Sequence, residues 1–441
     1  MSGQKNNYLS NKTIKDLFLF SLPIIFGQMG VMLICAGDMY VASAHSTLSV
    51  ASIGVATGVF NPVFLFGIGL MMGISPSMAI KRGKGEDTHK YLKSAIVYSV
   101  IVGFALTIVM LIVNQFIPYF GIEQEMVKPV QRYVEVIAWS FPFGFIFQAI
   151  KEFLQSFEKV FMTNFIALVA VVVNLGFNYI FVFGMFGTTA YGYDGLAYAS
   201  FAIRIFLAVV LLILTRKYLS WGKVDFDFIK STFKFSLPIA SMFFIEVLAF
   251  CVVSILIGGM GVAVAAANNI LLNVASITFM IPLSISAAVS VKVGARFGDK
   301  DIDGIRKYSF AAIFISTIFM VMTASMFILI PEQIMKFVTQ DPEVIAIGVS
   351  LLFIVAMFQL VDGLQITLAG ILRGLGLTKE SFIAAFTGYW LLGIPFGLIL
   401  AFKFEYNASG LWIGLATSLS IVALALSFVF LRVIKRLSSQ A

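Results

Sequence analysis

Hydrophobic residues in this chain gather into runs of about twenty or more, each close to the length that crosses a bilayer as a helix. Polar residues gather in the short stretches between them. The pattern predicts twelve helical spans. Six lie near residues 16–41, 50–80, 94–117, 130–152, 161–186 and 195–215. Six more lie near 234–258, 262–291, 308–330, 344–371, 381–402 and 409–431.

The second six repeat the first. Ser21-Leu22-Pro23-Ile24 returns 215 positions later as Ser236-Leu237-Pro238-Ile239. Phe147-Gln148 returns as Phe358-Gln359, and Gly195-Leu196 as Gly410-Leu411. With six spans in each half, both halves start on the same side, so the repeat is parallel, with its axis along the membrane normal. The expected fold is an all-α polytopic membrane protein: twelve transmembrane helices in two six-helix lobes. The lobes are residues 1–218 and 219–441, joined by a polar linker at about 216–234 that carries Trp221-Gly222. A duplicated hydrophobic half is how many secondary transporters are built, with the substrate path between the halves.

Composition agrees. The chain is 60% hydrophobic and only 12% charged, about half the charge of a soluble domain, so little is left over for one. A net charge of +8 could serve a nucleic acid, but its distribution speaks for a membrane. Of the 30 Lys and Arg, only Lys128, Arg132, Lys336 and Lys403 fall in the loops on one side, and Arg204 lies inside a span. The others occupy the N-terminal side, which puts both termini in the cytoplasm. Lys5, Lys12 and Lys15 ahead of an apolar run, with Ala42-Ser43-Ala44 after it, imitate a signal peptide. The run is too long for one and Asp38 interrupts it, so it is expected to be a retained first span. Cys35 and Cys251 lie in apolar runs and are expected to be small buried hydrophobes without a disulfide. No phosphate-binding loop occurs, Gly83-Lys84-Gly85 not being one, and no cofactor is implied. An ion gradient is the expected energy source.

Seven of the eleven prolines fall inside spans, where each bends its helix. Pro23 and Pro238 hold matching places in the repeat and are candidate hinges. Small-residue pairs at Gly54/Gly58, Gly69/Gly73, Gly370/Gly374 and Gly393/Gly397 fit close helix packing.

Ionisable groups inside spans are the sharpest functional signal, since each costs at least about 2.5–3.5 kcal/mol to insert without a partner or a wet cavity. Asp38, Glu246 and Asp362 qualify. Glu246 and Asp362 sit near mid-depth in the second half and could share a cavity. Asp38 lies toward the outer end of its span, either interfacial or turned inward by the Pro23 bend. Asn174 and Asn178, four apart, point to one face of the fifth span. One carboxylate with two amide oxygens suits a single hard monovalent cation, against interhelical hydrogen bonding as the plain alternative. For Asn269 and Asn273 the plain alternative stands first. Arg204 needs a counter-ion that the sequence does not name. Glu135 and Glu152 are expected at the interface, and His45 and His89 in loops. The polar groups do not follow the repeat: an offset of 215 sets Val31 opposite Glu246, Tyr389 opposite Asn174 and Gly393 opposite Asn178.

Several stretches together resemble the multidrug and toxic compound extrusion (MATE) family, most nearly its NorM-like branch. They are Leu22-Pro23 with Gly27-Gln28 and Asp38, Asn174-Leu175-Gly176-Phe177-Asn178-Tyr179, Leu237-Pro238 with Phe244-Ile245-Glu246, and Asp362-Gly363-Leu364-Gln365 with Leu372-Arg373-Gly374. The resemblance covers essentially the whole chain. It implies an antiporter, not an enzyme, that expels cationic amphipathic drugs or dyes in exchange for Na+ or H+, with two lobes in a V rocking by alternating access. It implies a bacterial plasma (inner) membrane setting, lipids as neighbours, a monomer, and no nucleic acid or organic cofactor. Residue by residue, Asp38, Asn174 and Asn178 become the first-lobe cation site, with Na+ the favoured metal. Glu246 and Asp362 become the second-lobe acids for cation or substrate. Phe358, one turn before Asp362, stands where some relatives carry a tyrosine, so a sodium site there would lack an oxygen.

Three other classes compete. A flippase for lipid-linked oligosaccharide would need several cations in the central spans, where only Arg204 is expected. A polytopic membrane enzyme would need catalytic groups in larger loops than these. A channel would not need a duplicated rocking scaffold.

Overall fold

The computed structural model describes residues 10–219 and 223–439; Lys5 and Trp221-Gly222 lie outside them. All the regular structure among the described residues is helical. In order come α1 (Asn11–His45), α2 (Thr47–Met72), α3 (Ile74–Gly83), α4 (Leu92–Phe116), α5 (Gln124–Trp139), α6 (Phe141–Ser156), α7 (Phe161–Phe183) and α8 (Tyr193–Leu219). Then follow α9 (Phe226–Gly258), α10 (Val262–Gly298), α11 (Ile302–Leu329), α12 (Pro331–Val338), α13 (Pro342–Gly374), α14 (Thr378–Phe386), α15 (Ile394–Leu398) and α16 (Asn407–Ser438). Among the described residues, eleven spans are long and apolar enough to cross a membrane. The bent pair α5–α6, which turns by 44°, makes a twelfth when it is counted as one span. Every predicted span has its helix, and the chain is a multi-pass membrane protein.

The helices run past the apolar windows because their ends are capped by polar residues that hydropathy does not see. Ser46 Oγ accepts from Ser49 N at 3.1 Å to start α2. Asp225 accepts from Phe228 N at 2.9 Å to start α9, Asp301 from Gly304 N at 2.8 Å to start α11, and Asp341 from Glu343 N at 2.9 Å to start α13. Each cap satisfies one of the orphan donors of a first turn. The linker expected at about 216–234 is therefore much shorter: α8 continues to Leu219 and α9 begins at Phe226.

Packing divides the chain into two compact units that do not follow the repeat boundary at 218/219. One holds the described residues up to Ile25, Ala79–Gly85 and the chain from Ser241 onward. The other holds Phe26–Met78 and Glu86–Ala240. The first part of α1 thus belongs with second-half helices. Lys292 Nζ lies 2.8 Å from Asp16 Oδ2, Tyr308 donates to the same oxygen at 2.7 Å, and Phe18 stacks on Phe319 at 6.4 Å. The first part of α9 belongs with first-half helices. Asp225 N donates to Ser94 Oγ at 2.9 Å, and Phe228 stacks on Tyr91 at 4.4 Å. In both helices the change of unit comes two residues after the matched proline, Pro23 or Pro238.

In lipid, apolar burial drives little association, and backbone approach through small residues takes its place. A Cβ on Gly69 would lie 2.5 Å from Ala240 Cα, and one on Gly370 would lie 2.5 Å from the Ser286 carbonyl. Gly397 likewise faces Gly414 Cα at 3.1 Å. Gly54 and Gly58 differ: a Cβ at either meets nothing within 4 Å, so that pair is not a packing motif. Cys35 is exposed and Cys251 half-buried, both free thiols, so neither is the fully buried residue expected.

Candidate functional site

In the unit made of Phe26–Met78 and Glu86–Ala240, small residues seat α1 on α7. A Cβ on Gly27 would collide with the Asn164 side chain, and one on Gly30 would lie 3.2 Å from the Ala167 carbonyl. The same pairing carried along both helices brings Asp38 level with the stretch between Asn174 and Asn178. There Asn174 Nδ2 donates to Asp38 Oδ1 at 2.7 Å, and Asn178 Nδ2 to the same oxygen at 2.6 Å. Ser200 Oγ of α8 donates to Asp38 Oδ2 at 3.1 Å. Asp38 is 8% exposed, which excludes the solvated interfacial placement, and both asparagines are buried. The amide oxygens of Asn174 and Asn178 have no hydrogen-bond partner. Two buried acceptors without donors are costly in a membrane interior, and they border the one carboxylate.

Arg204 stands one turn along α8 from Ser200. Its Nη1 donates to Ser140 Oγ at 2.6 Å, at the bend between α5 and α6. Its guanidinium lies 4.3 Å from the Phe64 ring centre and 5.9 Å from those of Phe60 and Phe141. Among the described residues no carboxylate comes within ion-pair range of it. The counter-ion that the sequence demanded is replaced by ring faces and a hydroxyl.

The other unit brings Glu246 of α9 and Asp362 of α13 close enough to interact electrostatically. Both are buried, at 7% and 6% exposure. Tyr389 donates to Glu246 Oε1 at 2.8 Å, while Oε2 has no partner. Tyr389 reaches it from a π-helical stretch, Thr387–Gly393, between α14 and α15. The wider turn also lets Trp390 Nε1 donate to the Ile245 carbonyl at 3.1 Å, so two consecutive side chains grip α9. Single π-turns of this kind collect at functional sites. Phe358 packs edge-to-face on Phe250 and Trp412, at 5.9 and 5.5 Å, and offers no oxygen. Asn273 Nδ2 donates to the carbonyl of Asn269 one turn back in α10 at 2.8 Å, a bond within one helix rather than the interhelical one expected of that pair.

Three residues escaped sequence reasoning. Ser200 carried a signal, standing four before Arg204 on one helix face. Tyr389 carried a stronger one: it is the repeat mate of Asn174, and it contacts the acid of the seventh span as Asn174 contacts that of the first. The acids themselves are not repeat mates, since Glu246 matches Val31, so the polar groups as sets still do not follow the repeat. Trp390 carried none. Glu152 was expected at the interface. It is instead buried at 5% exposure and accepts from Ser75 at 2.6 Å and Gln148 at 3.0 Å. Lys151 beside it is 4% exposed, so Arg204 is not the only cation within the spans. Glu135, paired with Arg132 at 3.3 Å, is exposed as expected. No group of three or more His, Cys, Asp or Glu gathers among the described residues. The donors at Asp38 are thus hard oxygens around a single charge.

The MatE family model matches residues 23–180 and 238–399, two stretches that open on the repeated prolines. The multidrug resistance protein NorM of Aliivibrio fischeri is 27% identical over 431 residues, covering 94% of each chain. NorM of Vibrio cholerae is 29% identical over 432 residues, also covering 94% of each. Among solved structures, a MATE protein in complex with MaL6 superimposes with a TM-score of 0.88 at 18% identity, covering 99% of this chain and 100% of that one. The eukaryotic MATE transporter AtDTX14 does so with 0.87 at 18% identity, over 97% and 99%. Duplicated halves, twelve spans, and this agreement of family model and fold over nearly the full length lead to one statement: the chain belongs to the MatE family of multidrug and toxic compound extrusion (MATE) transporters.

Proposed function

We propose that this transporter is a secondary active efflux antiporter for cationic amphipathic compounds, driven by inward sodium. It would work as a monomer in a bacterial plasma membrane, both termini cytoplasmic, with no organic cofactor. The observation that carries the coupling is the Asp38 site. A carboxylate held by two amides and a hydroxyl, with two amide oxygens left unpartnered, is a ready oxygen cage for one monovalent cation. Half a turn of either amide exchanges its donor for an acceptor in the same space. The same side chains can thus hold a bare carboxylate or a carboxylate with its ion. Multidrug resistance in the names of the NorM relatives supports the cargo class.

Two interacting carboxylates at Glu246 and Asp362 favour a second reading, in which a proton or the cationic cargo binds there and relieves their repulsion. The two sites then divide the work, ion in one half and cargo or proton in the other. For either, the ion must bind the two access states unequally, since equal affinity shifts no population. The lipid flippase remains an outcome of the test.

Ethidium efflux from proteoliposomes, with sodium and proton gradients imposed separately, decides among these. Sodium-driven efflux is expected, lost in Asp38→Asn and retained in part in Glu246→Gln. Efflux driven by protons alone would make the Asn174/Asn178 pair structural. No gradient-driven cation transport would overturn the drug-antiporter reading.

A further inference from the structure

Arg204 is the one charged group near the Asp38 site that the mechanism above does not use. A cation inside a span ordinarily pairs with an acid or reaches the interface. This one does neither. Its hydrogen bond to Ser140 and the faces of Phe60, Phe64 and Phe141 hold it in place. The rings are themselves fixed, Phe64 lying 5.3 Å from both Phe141 and Phe145. Ring quadrupoles stabilise a guanidinium without cancelling its charge. The charge is therefore still felt by its surroundings.

Those surroundings include Asp38. Ser200, which donates to Asp38, and Arg204 are four apart on α8 and share a face, separated by about 6 Å of rise. Among the described residues no ion pair joins Arg204 to Asp38: the guanidinium is bonded to Ser140 one helical turn from Ser200, which donates to the carboxylate. A direct ion pair would occupy the carboxylate and exclude any other cation. A guanidinium held one turn away leaves the carboxylate free and only weakens its attraction for a second positive charge.

We propose that Arg204 is a specificity-determining residue of the Asp38 site, a fixed positive charge that holds the site's affinity for its coupling cation low enough for release. The proposal rests on reading Asp38 as a cation site. A purely structural role is the rival: Arg204 would only staple the bend at Ser140.

The two roles separate by experiment. The purified protein is melted in increasing NaCl against choline chloride at constant ionic strength, and the half-saturating sodium concentration, Kd, is fitted from the rise in stability, which grows as ln(1 + [Na+]/Kd). Wild type should rise with sodium and Asp38→Asn should not. If wild type shows no sodium-specific rise, the cation-site reading falls first and the proposal with it. Given a wild-type response, Arg204→Gln keeps a donor for Ser140 but removes the charge. It should lower the half-saturating concentration about tenfold, as expected for one unit charge at this range in a partly polar interior. Arg204→Met should do the same, and it serves if the glutamine variant does not fold. Arg204→Lys keeps the charge, and Ser140→Ala removes only the hydrogen bond; both should keep the wild-type value. An unchanged half-saturation in the neutral variants would overturn the proposal. So would an equal shift in Arg204→Lys and Arg204→Gln, which would tie the effect to the fork geometry alone.

Discussion

Tyr389 is a single hydroxyl with a large assignment. It makes the one hydrogen bond that Glu246 accepts within the described residues, and it comes from a stretch of π-helix that would otherwise be a local defect. Hydrogen bonds to a charged group contribute about 1.5–3 kcal/mol. Tyr389→Phe should therefore alter whichever step needs the Glu246 carboxylate by roughly ten- to a hundredfold, read as efflux rate against ion concentration. An unchanged rate would mean that the backbone of Thr387–Gly393, rather than the hydroxyl, places the acid. Phe358 is a contrasting case. Packed edge-to-face on Phe250 and Trp412 it is held by ring contacts alone, and Phe358→Tyr is expected to restore no second ion response in the sodium titration.

Between elements, the Asp16–Lys292 pair ties the start of α1 to α10 and α11. Its two ends are unequal: the Lys292 side chain is 9% exposed and that of Asp16 is 45%. Removing one partner of a pair costs most when the charge left behind is the buried one. Asp16→Asn keeps an acceptor oxygen but removes the negative charge beside the buried ammonium, which lies over the Phe20 and Tyr308 rings. Lys292→Met strands only a half-solvated carboxylate. Asp16→Asn should lower Tm more than Lys292→Met, by a difference worth about 1–3 kcal/mol; equal losses would show that the rings carry the contact. Glycine seams follow the same logic of close approach. Gly370→Leu would drive a side chain into the Ser286 carbonyl and should cost folded protein, whereas Gly54→Leu faces open space and should be tolerated.

Across the whole molecule, charge and repeat make one prediction. With Arg432, Lys435 and Arg436 at the end of α16, a C-terminal fluorescent fusion should be active in the cytoplasm, and an alkaline phosphatase fusion inactive there. The opposite pair of results would invert the orientation and with it the direction of transport. The divided first helices of each half belong to this scale too. α1 and α9 each change unit just past their repeated prolines, Pro23 and Pro238. Those are the places where backbone hydrogen bonds are already missing.

The spans and the parallel duplication were legible along the chain, because hydropathy and periodicity are local quantities. So were Asp38, Glu246 and Asp362, since a charge in an apolar run is conspicuous wherever its helix packs. What those acids touch was not local. Ser200 joined Asp38, Tyr389 joined Glu246, and Arg204 found rings where an acid was expected. Each of these depends on which small residues let two distant helices approach, and at what height. Glu152 and Cys35 went the other way for the same reason. Depth along a helix can be counted in residues, but the direction a side chain faces is decided only when the neighbouring helix is in place.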